Sequence, residues 1–259
     1  MDLGIAGRRA IVCASSRGLG RACALALSAE GVDIVINGRD PDTLETAVRE
    51  LRAATDGVVV GVVGDVTTTE GRTALLEACP DPDILVNNNA GPPPVDIMSV
   101  GEERWLETIR GNMVAPLLLL NAVVGPMRER RFGRIVNITS AMVTTPRAHM
   151  GLSSGARAGL TAVMKGLSLE LARDNVTINN LLPERLDTDR QIYMAHRATE
   201  REGITYEEAR QRMTESIAAR RLGRPEELGA TCAFVCSVHA GYMSGMNIHL
   251  DGGSYPALI

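Results

Sequence analysis

Seven short runs rich in valine and isoleucine recur along the chain, and longer segments with helical periodicity separate them. This alternation is typical of a parallel α/β sheet, because each crossover between parallel strands needs a long connection, usually a helix. The runs are nearly continuously apolar, which predicts strands covered by helices on both faces. The sequence therefore predicts an α/β fold, a single doubly wound domain over residues 1–259 with a seven-stranded parallel sheet, whose strands are 10–14, 33–37, 58–63, 84–87, 134–139, 177–182 and 247–250.

Composition and charge argue against several other classes of protein. The 259 residues are 45% hydrophobic and 22% charged, so the chain can bury a core and does not resemble a disordered one. The net charge is −4 and the longest basic cluster is Arg128, Arg130 and Arg131, which predicts no nucleic-acid partner. The longest apolar stretch, residues 113–127, is shorter than the roughly 18 residues that span a bilayer, so no membrane association is predicted. The first ten residues lack the apolar region of a signal peptide, which predicts a cytoplasmic protein.

The cysteines are predicted to be reduced thiols in the core. They are odd in number, lie among apolar residues and form no Cys-x-x-Cys pair. No second pair of histidines or cysteines accompanies them at zinc-ligand spacing, so no metal site is predicted. The five residues are Cys13, Cys23, Cys79, Cys232 and Cys236.

A polar segment rich in arginine and glutamate, residues 187–224, interrupts the alternation of strands and helices. It is long enough to form one or two amphipathic helices outside the sheet. Three interpretations stay open at this point, namely a lid over the substrate, a solvated excursion and a subunit contact.

A turn rich in glycine and serine, residues 13–20, follows the first strand and precedes an apolar helix over residues 21–30. A strand, such a turn and a helix N-terminus present free backbone N–H groups and the positive end of the helix dipole, which suit a pyrophosphate. Gly18 and Gly20 would let the backbone approach the phosphates closely. Asp65, just after the third strand, is a candidate acceptor for an adenine amino group or an ordinary helix cap.

The end of the second strand indicates a preference for NADP(H) over NAD(H). Sites that prefer NAD place an acidic residue there for the ribose hydroxyls. This chain instead has Gly38, which brings no carboxylate to repel a 2′-phosphate, and Arg39, which brings a cation. Arg17, within the turn, is placed to add a second cation. The alternative interpretation is that both arginines are solvated surface residues.

Taken together, motifs over nearly the whole chain resemble those of the short-chain dehydrogenase/reductase family. Residues 13–20 resemble its TGxxxGxG turn, with Cys13 and Ala14 in place of the threonine and first glycine. Residues 88–91 match its NNAG motif, residues 183–188 resemble the segment that closes over the nicotinamide, and the tail at 245–253 matches its C-terminal strand and turn. Within 183–188, Glu184 occupies the usual glycine position. Residues 221–226 strengthen the resemblance to the 3-oxoacyl-acyl-carrier-protein reductase branch.

The resemblance implies a Rossmann fold, a small-molecule substrate and a homotetramer built on the apolar helices. It places the active-site asparagine at Asn112 and the catalytic serine at Ser140, at the end of the run 134–140. The alternative interpretation is that both are ordinary polar residues at the edge of a cleft. The predicted catalytic residues are Asn112, Ser140, Ser153 and Arg157, and the predicted cofactor-binding residues are Ala14, Ser15, Ser16, Arg17, Gly18, Leu19, Gly20, Arg39, Asp65, Val66, Asn89, Ala90, Gly91, Arg157, Pro183 and Thr188.

The signature pair of that family, Tyr-x-x-x-Lys, is absent. Its register, thirteen residues after Ser140, falls on Ser153 and Arg157. Lys165 is the only lysine of the chain, and the residue four positions before it is Thr161. A phenol lowered from a pKa of about 10 by a neighbouring ammonium can exchange a proton near neutrality, whereas an aliphatic hydroxyl is too weak an acid and a guanidinium stays charged. The usual proton donor is therefore missing.

Three functions remain open from the sequence. The leading hypothesis is an NADP(H)-dependent oxidoreductase acting on a carbonyl or an alcohol, in which Ser140 and Arg157 stabilise an alkoxide while water or His149 supplies the proton. The second is a nucleotide-binding protein without redox turnover, acting as a sensor or as a partner subunit. The third is a non-redox lyase or isomerase that uses the same cleft.

Overall fold

The computed structural model describes residues 1–258, and within them seven parallel strands form one sheet in the order β3-β2-β1-β4-β5-β6-β7. The chain winds outward from β1 in both directions, so the order of strands reverses between β1 and β4. The prediction of a single α/β domain with a seven-stranded parallel sheet is confirmed. The strands are β1 (Arg9–Val12), β2 (Asp33–Gly38), β3 (Val59–Val63), β4 (Ile84–Asn87), β5 (Gly133–Ile138), β6 (Val176–Pro183) and β7 (Asn247–Leu250).

Local capping chemistry sets the start of two helices. The Asp40 side chain accepts a hydrogen bond from the Thr43 backbone N–H at 2.9 Å, and Pro41 is the first helical residue. Thr68 accepts from the Gly71 N–H at 3.1 Å in the same way. The helices are α1 (Gly18–Ala29), α2 (Pro41–Ala54), α3 (Thr69–Ala78), α4 (Glu102–Ile109), α5 (Ala115–Glu129), α6 (Gly151–Leu171), α7 (Asp189–Glu202), α8 (Tyr206–Glu215) and α9 (Pro225–Cys236).

Two apolar clusters cover the two faces of the sheet. Ala10 and Val12 of β1 pack in one cluster with residues of α1, α2 and α9, whereas Ile11 packs in the other with residues of α3, α5 and α6. The prediction that the strands are covered on both faces is correct for the central strands and wrong for β3, where Val63 is 53% exposed. The reason is that β3 is an edge strand, with a neighbouring strand on one side only.

A π-helical turn, Arg110–Val114, joins α4 and α5 into one helix of 28 residues, Glu102–Glu129. The apolar stretch 113–127 is therefore part of a longer helix, which continues through Pro116 at the start of α5. By length and composition this helix could cross a membrane, but 44% of its apolar window is buried inside the protein. Core helices of globular proteins meet the same criterion, so the finding is weak evidence for a membrane span.

The polar segment 187–224 contains two helices, α7 and α8, outside the sheet. They pack on each other through a small apolar cluster that includes Ala195, Ala209 and Met213. An ion pair between Arg210 and Asp187, with N–O distances of 2.9 and 3.0 Å, joins α8 to the chain that enters α7. The segment thus forms a separate layer beyond the carboxyl ends of the strands, and its role as a lid stays a prediction.

Candidate functional site

The turn after β1 is held by hydrogen bonds to the end of β2. The buried Ser15 hydroxyl donates to the Val12 carbonyl oxygen at 2.6 Å and accepts from the Asn37 N–H at 3.0 Å. The Asn37 side chain in turn accepts from the Ala14 N–H at 3.1 Å. Ala14 has a positive φ of 44°, a conformation that favours glycine and that the hydrogen bonds on both sides maintain. The turn is therefore fixed in shape before any ligand arrives.

Gly20 is the residue that allows the turn to close against the loop after β4. A Cβ atom at this position would lie 2.5 Å from the Ala14 carbonyl oxygen and 2.8 Å from Asn88 Nδ2. The Asn88 amide itself donates to the Ala14 carbonyl oxygen at 3.1 Å. Helix α1 begins at Gly18 with no side chain capping its first turn. Its free N–H groups are thus available to an anion at the carboxyl end of the sheet.

The rim of this turn carries the two predicted cations. The Arg17 and Arg39 side chains are 74% and 73% exposed, and their nearest carboxylate oxygens, on Asp189 and Asp65, lie 3.8 and 3.7 Å away. Exposed ion pairs at this distance contribute little to stability, so both guanidinium groups are free to bind another anion. A Cβ at Gly38 would lie 2.9 Å from the Ser16 hydroxyl oxygen, so Ser16 packs closely against the position where an acidic side chain would begin.

Asp65 lies beside Arg39 rather than at the start of α3. Its carboxylate accepts from the Thr67 N–H at 2.8 Å, whereas Thr68 caps the helix, so the alternative of Asp65 as the helix cap is wrong. Burial opposes ionisation, but the hydrogen bonds from Thr67 and the charge of Arg39 lower the pKa of Asp65 below its ordinary value. Asp65 is therefore a charged acceptor at the carboxyl end of β3, with Val66 buried next to it.

The loop after β4 connects the turn to the catalytic candidates. Asn89 donates through its side chain to the Gly111 carbonyl oxygen at 3.1 Å and accepts through its own side chain from the Ala90 N–H at 2.9 Å. Gly111 belongs to the π-helical turn, which also contains the buried Asn112, whose side chain donates to the Thr108 carbonyl oxygen at 3.4 Å. Turns of this kind are frequent at functional sites because they redirect side chains.

Ser140 follows β5 and begins a short 3₁₀ turn, Ala141–Val143. Its half-buried hydroxyl oxygen accepts from the Met142 N–H at 3.2 Å, and its proton remains available as a donor. The hydroxyl therefore stands at the carboxyl end of β5 with its orientation set by its own backbone.

Ser153 and Arg157 lie one helical turn apart on α6 and contact each other. The Arg157 guanidinium donates to the Ser153 hydroxyl oxygen at 3.1 Å and to the Asn89 carbonyl oxygen at 3.1 Å. A Cβ at Gly91 would lie 3.1 Å from this guanidinium, so only a glycine leaves it unobstructed. Within residues 1–258 no carboxylate lies at ion-pair distance from Arg157. Burial, with a smaller effect of the Arg190 charge, lowers the pKa of Arg157 to about 10, which still leaves it protonated at neutral pH.

The segment 183–188 ends β6 and leads into α7. The Glu184 N–H donates to the Leu250 carbonyl oxygen of β7 at 3.0 Å, and its carboxylate, only 11% exposed, pairs with Arg147 at 3.1 Å. The Thr188 hydroxyl donates to the Leu186 carbonyl oxygen at 3.4 Å at the start of α7. Arg190, the second residue of α7, donates to the Pro92 carbonyl oxygen at 2.9 Å.

The predicted site residues thus lie at the carboxyl end of the sheet. They are in the segments at the ends of β1 to β6 or on the helices next to these segments. Sequence reasoning gave no role to Arg147 or Arg190, since their partners lie 37 and 98 residues away along the chain. Glu184, at a position where the family usually has glycine, marked this segment as unusual in the sequence. The sequence did not indicate that Arg147 would be its partner. His149 lines a cleft under α7 and α8.

All five cysteines are free and buried, as predicted. Burial raises the pKa of Cys13 to about 12, so this thiol stays protonated. Across the described residues, 1–258, no group of three histidine, cysteine, aspartate or glutamate side chains could hold a metal ion.

A fixed glycine turn, an uncapped helix N-terminus and a polar cluster at the switch between β1 and β4 define a nucleotide-binding α/β enzyme. Comparison with known families is more specific. The family model described as enoyl-(acyl carrier protein) reductase matches residues 13–255, and the chain belongs to the short-chain dehydrogenase/reductase family. It is an enzyme of this type, and the resemblance seen in the sequence is confirmed.

Relatives cover the chain from end to end. The NADPH-dependent reductase BacG of Bacillus subtilis is 30% identical over 97% of this chain and 99% of its own length. The 3-oxoacyl-[acyl-carrier-protein] reductase FabG of Haemophilus influenzae is also 30% identical, over 96% of this chain and 98% of its own. L-sorbose reductase from Gluconobacter frateurii, solved with NADPH and L-sorbose, superimposes with a TM-score of 0.94 at 31% identity and covers 100% of both chains.

Proposed function

We propose that the chain is an NADP(H)-dependent oxidoreductase that interconverts a carbonyl and an alcohol on a small-molecule substrate. The observation that carries the proposal is the rim of the glycine turn. Arg17 and Arg39 offer two exposed cations there, and Gly38 brings no carboxylate, with the Ser16 hydroxyl packed 2.9 Å from its Cβ position. This arrangement accommodates a 2′-phosphate and lacks the acidic residue expected in a site for NAD.

The residues present fit a dinucleotide. The first turn of α1 would hold its pyrophosphate at residues 14–20, Asp65 and Val66 would contact its adenine, and Asn89, Ala90 and Gly91 would line the ribose next to Arg157. Pro183 and Thr188 would border the nicotinamide. Bound NADPH supplies a hydride for a carbonyl carbon.

Ser140 and Arg157 would act on the substrate oxygen. The Ser140 hydroxyl can donate a hydrogen bond to it, and the Arg157 guanidinium, without a carboxylate partner, supplies positive charge where an alkoxide develops. Asn112 would fix the backbone or a water nearby. The proton that completes the alcohol would come from the bulk solvent, because the phenol of the family is absent and Arg157 stays protonated.

Magnitudes favour a slow enzyme over an inert protein. A positioned general acid contributes about 10² to 10⁴-fold to a rate. Holding two reactants in the right geometry can contribute about 7 to 11 kcal/mol. Losing the tyrosine and lysine of the family therefore removes the smaller contribution and leaves the larger.

A second candidate is an NADP(H)-binding protein without redox turnover. The hydrogen bond from Arg157 to Ser153 favours it, because this contact replaces the proton-exchanging pair of the family by two groups that do not titrate near neutrality. In this reading the protein would sense the nucleotide or act as a partner subunit.

We also propose that the chain self-associates through the helix Glu102–Glu129 and α6. Both expose large apolar side chains, including Leu106 at 51% and Leu169 at 71%.

The contact of Arg17 with Asp189, at 3.8 Å, brings the start of α7 beside the glycine turn and supports the interpretation of α7 and α8 as a lid.

The test is a comparison of cofactor binding and turnover. NADPH should bind the wild type more tightly than NADH, and Arg39→Gln should weaken NADPH by about tenfold, as expected for the loss of a charged hydrogen bond, while leaving NADH unchanged. Arg49→Gln, an exposed arginine of α2, is the matched control. Equal affinity for both cofactors in the wild type would contradict the proposed preference.

NADPH oxidation with a panel of ketones separates the two candidates. A slow rate that Ser140→Ala abolishes supports the oxidoreductase. Tight NADPH binding with no oxidation across the panel would support the binding protein instead.

A further inference from the structure

A cleft of about 310 Å³ lies under α7 and α8, beside the loops that follow β4, β5 and β6. Pro94 and His149 border it on the side of these loops, and the backbone N–H of Val95 joins the two loops by donating to the His149 carbonyl oxygen at 3.0 Å. The cleft therefore borders the loop that follows Ser140 and, through Arg185, the segment 183–188. Its lining is unusual in charge, because five arginines reach it, namely Arg147, Arg185, Arg197, Arg201 and Arg212.

Among residues 1–258, two carboxylates pair with these five guanidinium groups. Glu202 contacts Arg201 and lies 3.1 Å from Arg212. Glu184 lies 3.1 Å from Arg147 and 4.0 Å from Arg185. The cleft consequently has an excess of positive charge, which favours an anion inside it.

Two of the five guanidinium groups, those of Arg185 and Arg197, make no hydrogen bond to the protein within residues 1–258. Both side chains are partly buried. Burial is the largest influence on Arg185 and lowers its pKa, although Glu184 lies 4.0 Å away. Its backbone also has a positive φ of 54°, a strained conformation for a residue with a side chain. Partly buried N–H donors without acceptors are unfavourable, and an anion in the cleft would supply the missing acceptors.

The lining of the cleft also includes apolar side chains. They are Met194, Ile204 and Met213, and they belong to the cluster that holds α7 and α8 together. A ligand that matches both the arginines and these side chains has a short apolar body and an anionic end. The volume suits a small organic acid, since it lies at the lower end of the range for ligand sites.

We propose that this cleft binds the anionic end, a carboxylate or a phosphate, of the substrate, and that Arg185 and Arg197 are its specificity-determining residues. The inference rests on the proposed function for the chemistry at the other end of the molecule, where the carbonyl or alcohol group reacts. It adds the class of substrate, a small hydroxy or keto compound that carries an oxyanion, in preference to a neutral polyol or ketone.

Direct binding tests the cleft without any turnover. We would titrate hexanoate, hexyl phosphate and hexanamide into the wild type by calorimetry, with and without NADPH. The first two carry the oxyanion, and hexanamide has the same apolar body without the charge. We expect at least one of the two anions to bind about tenfold or more tightly than hexanamide, and the stronger of the two identifies the anionic group.

Variants locate the site. Arg197→Gln, in a side chain with no protein partner to lose, should weaken the preferred anion by about tenfold and leave hexanamide unchanged. Arg185→Gln should do the same, and circular dichroism would confirm that both variants fold. Arg49→Gln on α2 carries the same charge change away from the cleft and should bind like the wild type.

Equal binding of the three probes, or anion binding that survives both cleft variants, would overturn the proposal. Failure of both anions to bind a folded wild type would overturn it as well. These results are distinct from failure of the proposed function. That failure would appear as no NADPH binding or no NADPH oxidation while the anions still bind the cleft.

Discussion

The two ends of the site are built in opposite ways. At the glycine turn, Ser15 and Asn37 hold the backbone in place by hydrogen bonds, and the first turn of α1 has no side-chain cap on its N–H groups. At Ser153 and Arg157, a charged side chain is held against a hydroxyl and a carbonyl oxygen with no carboxylate near it. The glycine turn is preformed for binding a nucleotide. The Arg157 end instead holds a positive charge, and what that charge stabilises depends on the substrate.

The difference shows which parts of such an enzyme can change. The nucleotide end depends on backbone geometry, where Gly20 has no substitute, whereas the catalytic end depends on which side chains stand on α6. Side chains on α6 can be exchanged without altering the backbone of the glycine turn, and the chemistry can therefore change while cofactor binding remains. Three variants test this contrast.

The largest effect is expected from restoring the proton-exchanging pair. The double variant Ser153→Tyr with Arg157→Lys should raise the turnover of simple ketones by about 10² to 10⁴-fold, because a phenol beside an ammonium can supply the proton. Steady-state NADPH oxidation measures it. The matched control, Ser153→Phe with Arg157→Lys, has nearly the same volume without the hydroxyl and should show no gain. If the tyrosine variant folds and binds NADPH but turns over no faster, the rest of the catalytic end is not that of a reductase.

A smaller effect is expected at the nucleotide end. Gly20→Ala places a Cβ 2.5 Å from the Ala14 carbonyl oxygen, and the turn must shift to admit it. We expect a loss of about 1 to 3 kcal/mol in the free energy of unfolding and at least about a tenfold loss in NADPH affinity. Thermal denaturation and fluorescence titration measure the two. Gly166→Ala, in α6 with no atom within 4 Å of the added Cβ, is the control and should bind NADPH normally. Unchanged binding by Gly20→Ala would show that the turn is not the cofactor site.

The smallest effect is expected in stability at the catalytic end. Arg157→Met keeps most of the packing against Gly91 and removes a charge without a counter-ion, so it should raise the free energy of unfolding at pH 7 by about 1 kcal/mol while abolishing turnover. The pKa of Arg157 is lowered to about 10 in the folded state, so its charge costs stability at all pH values below 10, and this cost disappears as the pH rises from about 10 toward its unfolded value.

The advantage of Arg157→Met over the wild type should therefore be constant between pH 7 and 9 and shrink above pH 10. Chemical denaturation at pH 7, 9 and 10.5 measures it. A variant less stable than the wild type at pH 7 would show that the two hydrogen bonds of Arg157 outweigh the cost of its burial.

The fold was predictable because its signals are local. The apolar runs determine the strands, and short-range capping at Asp40 and Thr68 determines where two helices begin. The exposure of β3 was not predictable in this way, since a strand's position at the edge of a sheet depends on the order of all the others. Nor was the π-helical turn Arg110–Val114 between α4 and α5, which the apolar pattern does not reveal.

The site was only partly predictable for a similar reason. The glycine turn and the loop after β4 are contiguous motifs, and the structure brings them together. By contrast, the contact of Arg157 with Asn89 spans 68 residues and the pair of Arg147 with Glu184 spans 37. Such contacts follow from the packing of the whole sheet, and no periodicity or short motif records them.

Arg157, which has hydrogen bonds but no counter-ion within residues 1–258, has a practical consequence for anyone who adapts this protein to higher temperature. Screening a library for heat resistance alone would reward replacements at position 157, and the hardiest isolates would be catalytically dead. A useful campaign would have to select for activity in the same round, or leave that codon untouched.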